Sequence, residues 1–154
     1  MNIRDMLKVT GFESQALLTV RPDEFVSAAI EKLAKHNKGA LPVCNDKDEL
    51  VGIITERDIV RKCFVDGGDF KNKKVMDIMT KRVAIAIVDD DLDYAINTMK
   101  KEKIRHLPIA EGKKVVGIIS MRDILGFQYE ENKAEIKYIN LLHKRSASSL
   151  ETTL

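Results

Sequence analysis

Two short stretches hold the residue types from which a binding or reactive site is made. "GIITERDIV", residues 52–60, places Thr55 three positions before Asp58 with Arg57 between them. "GIISMRDIL", residues 117–125, repeats the arrangement with Ser120, Arg122 and Asp123. A hydroxyl followed three residues later by an acid is a capping box: the hydroxyl accepts from a free backbone N–H of the first helical turn and the acid reaches back to the cap. Such a cap is worth about 1 kcal/mol. The same geometry also suits a ligand. A helix N-terminus attracts phosphate, a Thr or Ser hydroxyl adds a donor, and Arg57 or Arg122 adds charge. The Asp is poor for phosphate but good for a sugar diol, whose two hydroxyls its two oxygens can accept. Phosphate donors beside a diol acceptor describe a nucleotide site, while the cap alone describes a structural motif.

The elements that must position these residues repeat as well. Ala29 and Ala95, Ile30 and Ile96, and Pro42 and Pro108 lie 66 positions apart, and Gly52 and Gly117, like Asp58 and Asp123, lie 65 apart. Val26, Ala29, Ile30 and Leu33 form the i, i+3, i+4, i+7 stripe of a helix begun near Pro22 and Asp23, and Leu92, Ala95, Ile96 and Met99 repeat it. The β-rich pairs "ALPVC" with "LVGII" and "HLPIA" with "VVGII" follow, each joined by a polar turn in which the one-residue difference falls. A second helix comes after each pair, the first stopping at Gly67 and Gly68. Short lead-ins, "IRDML" at 3–7 and "VMDIM" at 75–79, precede the copies, and the first copy carries extra residues about "TGFESQ". The expected fold is α/β (α+β), with two β-α-β-β-α repeats related by a pseudo-twofold axis and packed through their sheets, plus a C-terminal helix. The boundaries are 1–66 for the first repeat with its lead-in, 67–127 for linker and second repeat, 128–145 for the helix and 146–154 for a disordered tail. Repeats of about 60 residues gain stability by sharing one core, and the pseudo-symmetry gives every site a twin.

Composition narrows the class. The chain has 154 residues, 26 basic and 24 acidic, with net charge +2. The charges are mixed along it, which gives no broad basic face for nucleic acid. Cys44 and Cys63 lack metal-site spacing and read as small buried hydrophobes in a reducing compartment. Charges at Arg4, Asp5 and Lys8 interrupt any signal peptide, and no run reaches membrane-spanning length, so the protein is expected to be soluble and cytoplasmic. His36, His106 and His143 have no second ligand or nucleophile at suitable spacing, so neither a metal nor catalysis is expected. "DDDLD" at 89–93 lacks the Gly and distant Glu of a calcium loop and reads as acids opening a helix. Beyond the repeats, Ile136, Ile139 and Leu142 make a helical stripe within residues 129–144.

The repeated "LPV…LVGIITERDI" and "LPI…VVGIISMRDI", each after an apolar-striped helix and led by "DIMT"-like segments, resemble the cystathionine-β-synthase (CBS) domain. Two tandem copies, over residues 1 to about 127, look like a CBS pair or Bateman module. The resemblance implies a regulator rather than an enzyme, with no required cofactor and an adenosine-containing ligand: AMP, ADP or ATP, or alternatively S-adenosylmethionine or NADH. It maps the ribose-binding acid onto Asp58 and Asp123 and the hydroxyl onto Thr55 and Ser120. It completes the Asp58 pocket with Ile104 against adenine and Arg105 and His106 toward phosphate, and the Asp123 pocket with Lys38, Gly39 and Ala40. Thr80, Ile85, Pro108 and Ile118 complete the implied set. His106 reads equally as a strand histidine packed between repeats. With two potentially cationic side chains at its phosphate end, the Asp58 pocket is expected to prefer the more phosphorylated ligand. The resemblance further implies a homodimer, with the C-terminal helix at its seam as the expectation, and signalling to an effector protein. The competing reading is a constitutive assembly module whose Thr/Ser-x-x-Asp motifs only cap helices.

Overall fold

A computed structural model of the chain describes residues 1–12 and 16–151, the last four by backbone alone. Helix α1 spans Ile3–Val9, α2 Val26–Lys35, and strands β1 Ala40–Cys44 and β2 Leu50–Thr55 form an antiparallel pair. After β2 come a helical turn α3, Glu56–Asp58, and a π-helical segment, Ile59–Phe64. Helix α4 covers Val75–Ile78, β3 Ala86–Ile87, α5 Leu92–Glu102, β4 His106–Glu111, β5 Lys114–Ser120 and α6 Met121–Glu151. The chain divides into two compact units, Met1–Met121 and Arg122–Leu154.

Within the first unit the repeat is visible in detail. In the second copy β3 pairs parallel to β4, which pairs antiparallel to β5. In the first, β1 and β2 form the sheet, and Val20 takes the place of β3 as a single parallel bridge to Val43. The Val20 amide donates to Pro42 O, and Cys44 N donates to Val20 O. Both strand pairs carry a register shift at equivalent points, Val43/Cys44 and Ile109/Ala110. The helix stripes bury three of their four expected residues each, Val26, Ala29 and Leu33 on α2 and Leu92, Ala95 and Met99 on α5, with Ile30 and Ile96 partly buried. Helix α2 begins at Val26 rather than near Pro22. Pro22 and Glu24 instead accept backbone hydrogen bonds from Met76 and Val75, so their carbonyls serve tertiary contacts before the helix can start. Strand β1 packs against β5, and Glu49 bridges Lys114, joining the sheets of the two copies.

Each lead-in docks on the other repeat. Ile3 N donates to Asp90 O and Arg4 N to Val88 O, while Val75 N donates to Glu24 O and Met76 N to Pro22 O. Val75 and Ile78 accordingly belong to the buried cluster of the first repeat, together with Val20, Leu41 and Ile54. The acids at 89–91 therefore do more than open a helix: Asp89 pairs with Arg4 at 3.0 Å, and Asp90 accepts from Ile87 N at 2.8 Å.

The second unit is helix α6 from Arg122 onward. The helix expected over 128–145 is continuous with the one that follows β5, because no Pro or capping signal interrupts it. It also runs to Glu151. Residues 146–151 are thus helical where a disordered tail was expected, Ser and Ala being tolerable in a helix already propagated from its N-terminal side; 152–154 lie outside the described residues. Among the described residues no helix is long and apolar enough to cross a membrane.

Candidate functional site

Thr55 ends β2 in extended conformation and caps α3, and the box forms as its spacing predicts. Thr55 Oγ1 accepts from Asp58 N at 3.0 Å, and Thr55 N donates to Asp58 Oδ2 at 3.1 Å. Asp58 is the one buried charged residue among the described residues. A buried carboxylate requires donors, and it has them. Oδ2 also accepts from Thr55 Oγ1 at 3.1 Å. Oδ1 accepts from Thr80 Oγ1 at 3.2 Å and pairs with Lys62 Nζ at 2.9 Å. Lys62 further donates to Ile78 O and Thr80 Oγ1, both at 3.3 Å. It reaches these groups from the π-helical segment, a local widening that recurs at functional sites.

This network borders a cleft of about 200 Å³ between the repeats. From the first copy come Gly39, Ile53, Thr55, Glu56, Arg57 and Asp58; from the linker Thr80, Arg82, Val83 and Ala84; from the second copy Lys103, Ile104, Arg105 and His106. Apolar walls at Ile53, Val83, Ala84 and Ile104 stand beside four cationic side chains, Arg57, Arg82, Lys103 and Arg105, opposed by Glu56 and Asp58. In a cleft with low-dielectric walls, such an excess of one sign focuses the field and favours an anion.

The structure thus brings Thr55, Arg57, Asp58, Thr80, Ile104, Arg105 and His106 to one cavity. Gly39 joins them, which corrects its expected placement with Lys38 and Ala40. Successive residues of an extended segment face opposite sides, so Gly39 turns toward His106 while its neighbours turn away. A Cβ on Gly39 would lie 2.9 Å from His106 Nε2, so a side chain there would have to displace the imidazole. Lys38 and Ala40 line a second, smaller cavity of about 50 Å³ with Ile118, Leu17, Leu18 and Phe12. Lys38 Nζ stands 5.7 Å from the Phe12 ring centre. Three of the "TGFESQ" residues, Glu13, Ser14 and Gln15, lie outside the described residues. Ser120 pairs with His106 at the β4–β5 edge and lines neither cavity. Arg122 and Asp123 lie in the first turn of α6. Pro108 is buried in β4 opposite Ile118 and lines neither cavity. Ile85 is exposed beside the cleft-lining Val83 and Ala84 and does not line it.

Six lining residues went unforeseen: Ile53, Glu56, Arg82, Val83, Ala84 and Lys103. Arg82, Val83 and Ala84 come from the linker, where no periodicity marks a role. Lys103 had a signal: it stands 66 positions after Asn37, and both adopt left-handed backbone at the end of their helices, with φ of 55° and 50°.

Cys44 and Cys63 are buried, and burial pushes both thiols up from their ordinary range. Among the described residues no three His, Cys, Asp or Glu cluster to hold a metal.

The family model for the CBS domain matches residues 9–64 and again 75–130. "CBS domain-containing protein CBSX3, mitochondrial" of Arabidopsis thaliana is 33% identical over 143 residues, covering 90% of this chain and 69% of that protein. The solved CBS-domain containing protein ATU1752 from Agrobacterium tumefaciens has 30% identity and a TM-score of 0.74, covering 82% of this chain and 92% of that one. The CBS domain pair of protein MJ0100, solved in complex with 5-methylthioadenosine and S-adenosyl-L-methionine, has 29% identity and a TM-score of 0.74, covering 85% and 98%.

Proposed function

Because the chain belongs to the CBS-domain family and carries that domain twice in tandem, we propose that it is a regulatory module whose Asp58 cleft binds an adenosine nucleotide. The observation that carries this reading is the combination in one cleft of the buried Asp58 carboxylate, four cationic side chains and apolar walls. Adenine takes the apolar wall that includes Ile104, the ribose diol donates to Asp58, and the phosphates take the arginines and Lys103. The complex of the MJ0100 pair with 5-methylthioadenosine and S-adenosyl-L-methionine supports an adenosine ligand. The charge of this cleft supports a phosphorylated one, because the sulfonium of S-adenosylmethionine would face like charge.

Regulation follows from the lining. The ligand touches both repeats, so it favours the relative arrangement in which both sets of contacts are made, and a partner protein in the cytoplasm reads that arrangement. No step of bond making is required of the module.

Isothermal titration of the full chain with AMP, ADP, ATP, 5-methylthioadenosine, S-adenosylmethionine and NADH tests the reading. ADP or ATP is expected to bind at least about tenfold more tightly than 5-methylthioadenosine, a difference of about 1.4 kcal/mol. Affinity should fall as salt rises, and Asp58→Ala should weaken it by a similar factor. A preference for an uncharged adenosine ligand would overturn the phosphate assignment. The second reading, a constitutive assembly module, is favoured by the fact that Thr55, Thr80 and Lys62 already satisfy Asp58 without a ligand. Absence of binding by all six compounds would favour it.

A further inference from the structure

The Asp58 carboxylate is fully engaged by donors of its own chain. Thr55 N and Thr55 Oγ1 donate to Oδ2 at 3.1 Å each, Thr80 Oγ1 donates to Oδ1 at 3.2 Å, and Lys62 Nζ pairs with Oδ1 at 2.9 Å. A carboxylate offers about four acceptor sites, and these donors use them all. The ammonium is equally committed, its protons matching Asp58 Oδ1, Ile78 O and Thr80 Oγ1. A ribose diol brings further donors, and Asp58 accepts them only by giving up a donor it already has. The donors are not held alike. Thr55 belongs to the capping box, and Thr80 is fixed by backbone hydrogen bonds with Ile53 of 3.0 and 2.9 Å. Lys62, one turn beyond Asp58 in the π-helical segment, is held by side-chain contacts alone, and its side chain is 46% exposed. Such a pair contributes little net stability, because water solvates the freed ammonium. Lys62 is the donor that leaves.

We propose that Lys62 is a latch on the nucleotide cleft: its ammonium competes with the ribose for Asp58 Oδ1, and a bound nucleotide expels it to solvent. The inference rests on the nucleotide reading of the cleft and adds the regulation of that site. A ribose hydroxyl donates to the Oδ1 position that Lys62 gives up, while Oδ2 keeps α3 capped. Lys62 does not line the cleft, so it acts on the ligand through Asp58 and leaves toward water. Apparent affinity then scales with the fraction of molecules whose latch is open, and residue 62 sets the nucleotide concentration at which the module responds. The same event removes the bonds from Lys62 to Thr80 Oγ1 and to Ile78 O at the end of α4. Ribose recognition thereby loosens a side-chain tie between the π-helical segment and α4, outside the cavity itself.

Amine acylation of the full chain, followed peptide by peptide in the mass spectrometer, reads Lys62 and Lys103 separately. Saturating ADP is expected to slow Lys103, which faces the phosphates, and to speed Lys62 about two- to fivefold as its ion pair opens. Inorganic tripolyphosphate, which has no ribose, should slow Lys103 and leave Lys62 unchanged. Lys62→Met keeps an aliphatic stem and removes the competitor, so calorimetry should show ADP binding about two- to fivefold tighter than in the wild type. An unaltered or slower Lys62 while ADP protects Lys103 would overturn the latch and leave the nucleotide reading standing. Equal or weaker ADP binding by Lys62→Met would also overturn it, making the lysine a support for Asp58 instead. Tripolyphosphate that speeds Lys62 as much as ADP does would remove the ribose from the mechanism and overturn the proposal as well. If ADP gives neither binding heat nor protection of Lys103, the nucleotide reading itself fails, and the latch with it.

Discussion

Asp58 has two oxygens in two different environments. Oδ2 is held by Thr55 through backbone and hydroxyl and fixes the start of α3; Oδ1 faces Thr80 and Lys62 at the cleft. Capping and ligand binding are therefore compatible: a ribose hydroxyl can replace the ammonium of Lys62 at Oδ1 while Oδ2 keeps the helix capped. Lys62 is half-exposed and can swing away, so the exchange needs no backbone movement. Lys103 is a different case. A Lys in left-handed conformation is disfavoured, and such positions persist where surrounding structure enforces them. Its equivalent in the first repeat, Asn37, has the residue type that tolerates the conformation. Lys103→Asn should therefore leave the melting temperature unchanged or raised while weakening ADP and ATP several-fold. Melting curves and titration of the same variant check both halves, and a loss of stability with unaltered affinity would remove Lys103 from the site.

At the scale of elements, the two glycines of the repeated phrase have different reasons to be there. A Cβ on Gly52 would lie 2.7 Å from Met79 Sδ and 3.0 Å from Thr80 O, whereas one on Gly117 would meet nothing within 4 Å. The close approach lets Ile53 and Thr80 exchange backbone hydrogen bonds of 3.0 and 2.9 Å, and this pairing delivers the Thr80 hydroxyl to Asp58. Gly52→Val is expected to cost about 1–3 kcal/mol by overpacking, and Gly117→Ala to fall within about 0.5 kcal/mol. Urea unfolding of both variants measures the contrast, and equal losses would refute it. The glycine recurs at the same place in both copies, but its cause lies in a residue nearly thirty positions away and could not be read locally. Helix stripes, strand pairs, the Gly67–Gly68 stop and the Thr55–Asp58 box were legible because each depends on neighbours within a few residues. The π-helical segment was not, since "RDIVRKCF" has an ordinary helical composition and only tertiary contacts of Lys62 and Cys63 distinguish it. Gly39 parts from Lys38 and Ala40 for a reason the repeat pattern does not show: one step along an extended segment changes which side is faced.

For the first unit as a whole, the decisive feature is the reciprocal exchange of lead-ins. Helix α1 lies before the first repeat in sequence yet hydrogen-bonds to Val88 and Asp90 of the second; α4 lies before the second yet hydrogen-bonds to Pro22 and Glu24 of the first. Ile3 and Val75 occupy corresponding places and are fully buried. Neither repeat can complete its core from its own contiguous sequence, so the two should fold and unfold together. The exchange also links the cleft to the core of the first repeat, because Ile78 ends α4 and Thr80 follows it, and they contact Lys62 and Asp58. A ligand at Asp58 thereby bears on the packing of α4 against the first repeat. Ile3→Ala should cost about 2–5 kcal/mol, the range for emptying a fully buried aliphatic site. The loss is expected in one cooperative transition rather than in the second repeat alone. Urea titration followed in parallel by circular dichroism and by exposure of Cys63 to a thiol reagent decides the matter. Cys63 is buried in the first repeat, far in sequence from α1, and burial pushes its thiol up. If the repeats are one cooperative body, the thiol of the Ile3→Ala variant becomes reactive at the same urea concentration at which the helical signal is lost. A variant that loses part of its helical signal at lower urea while Cys63 stays protected would mean that the repeats unfold separately.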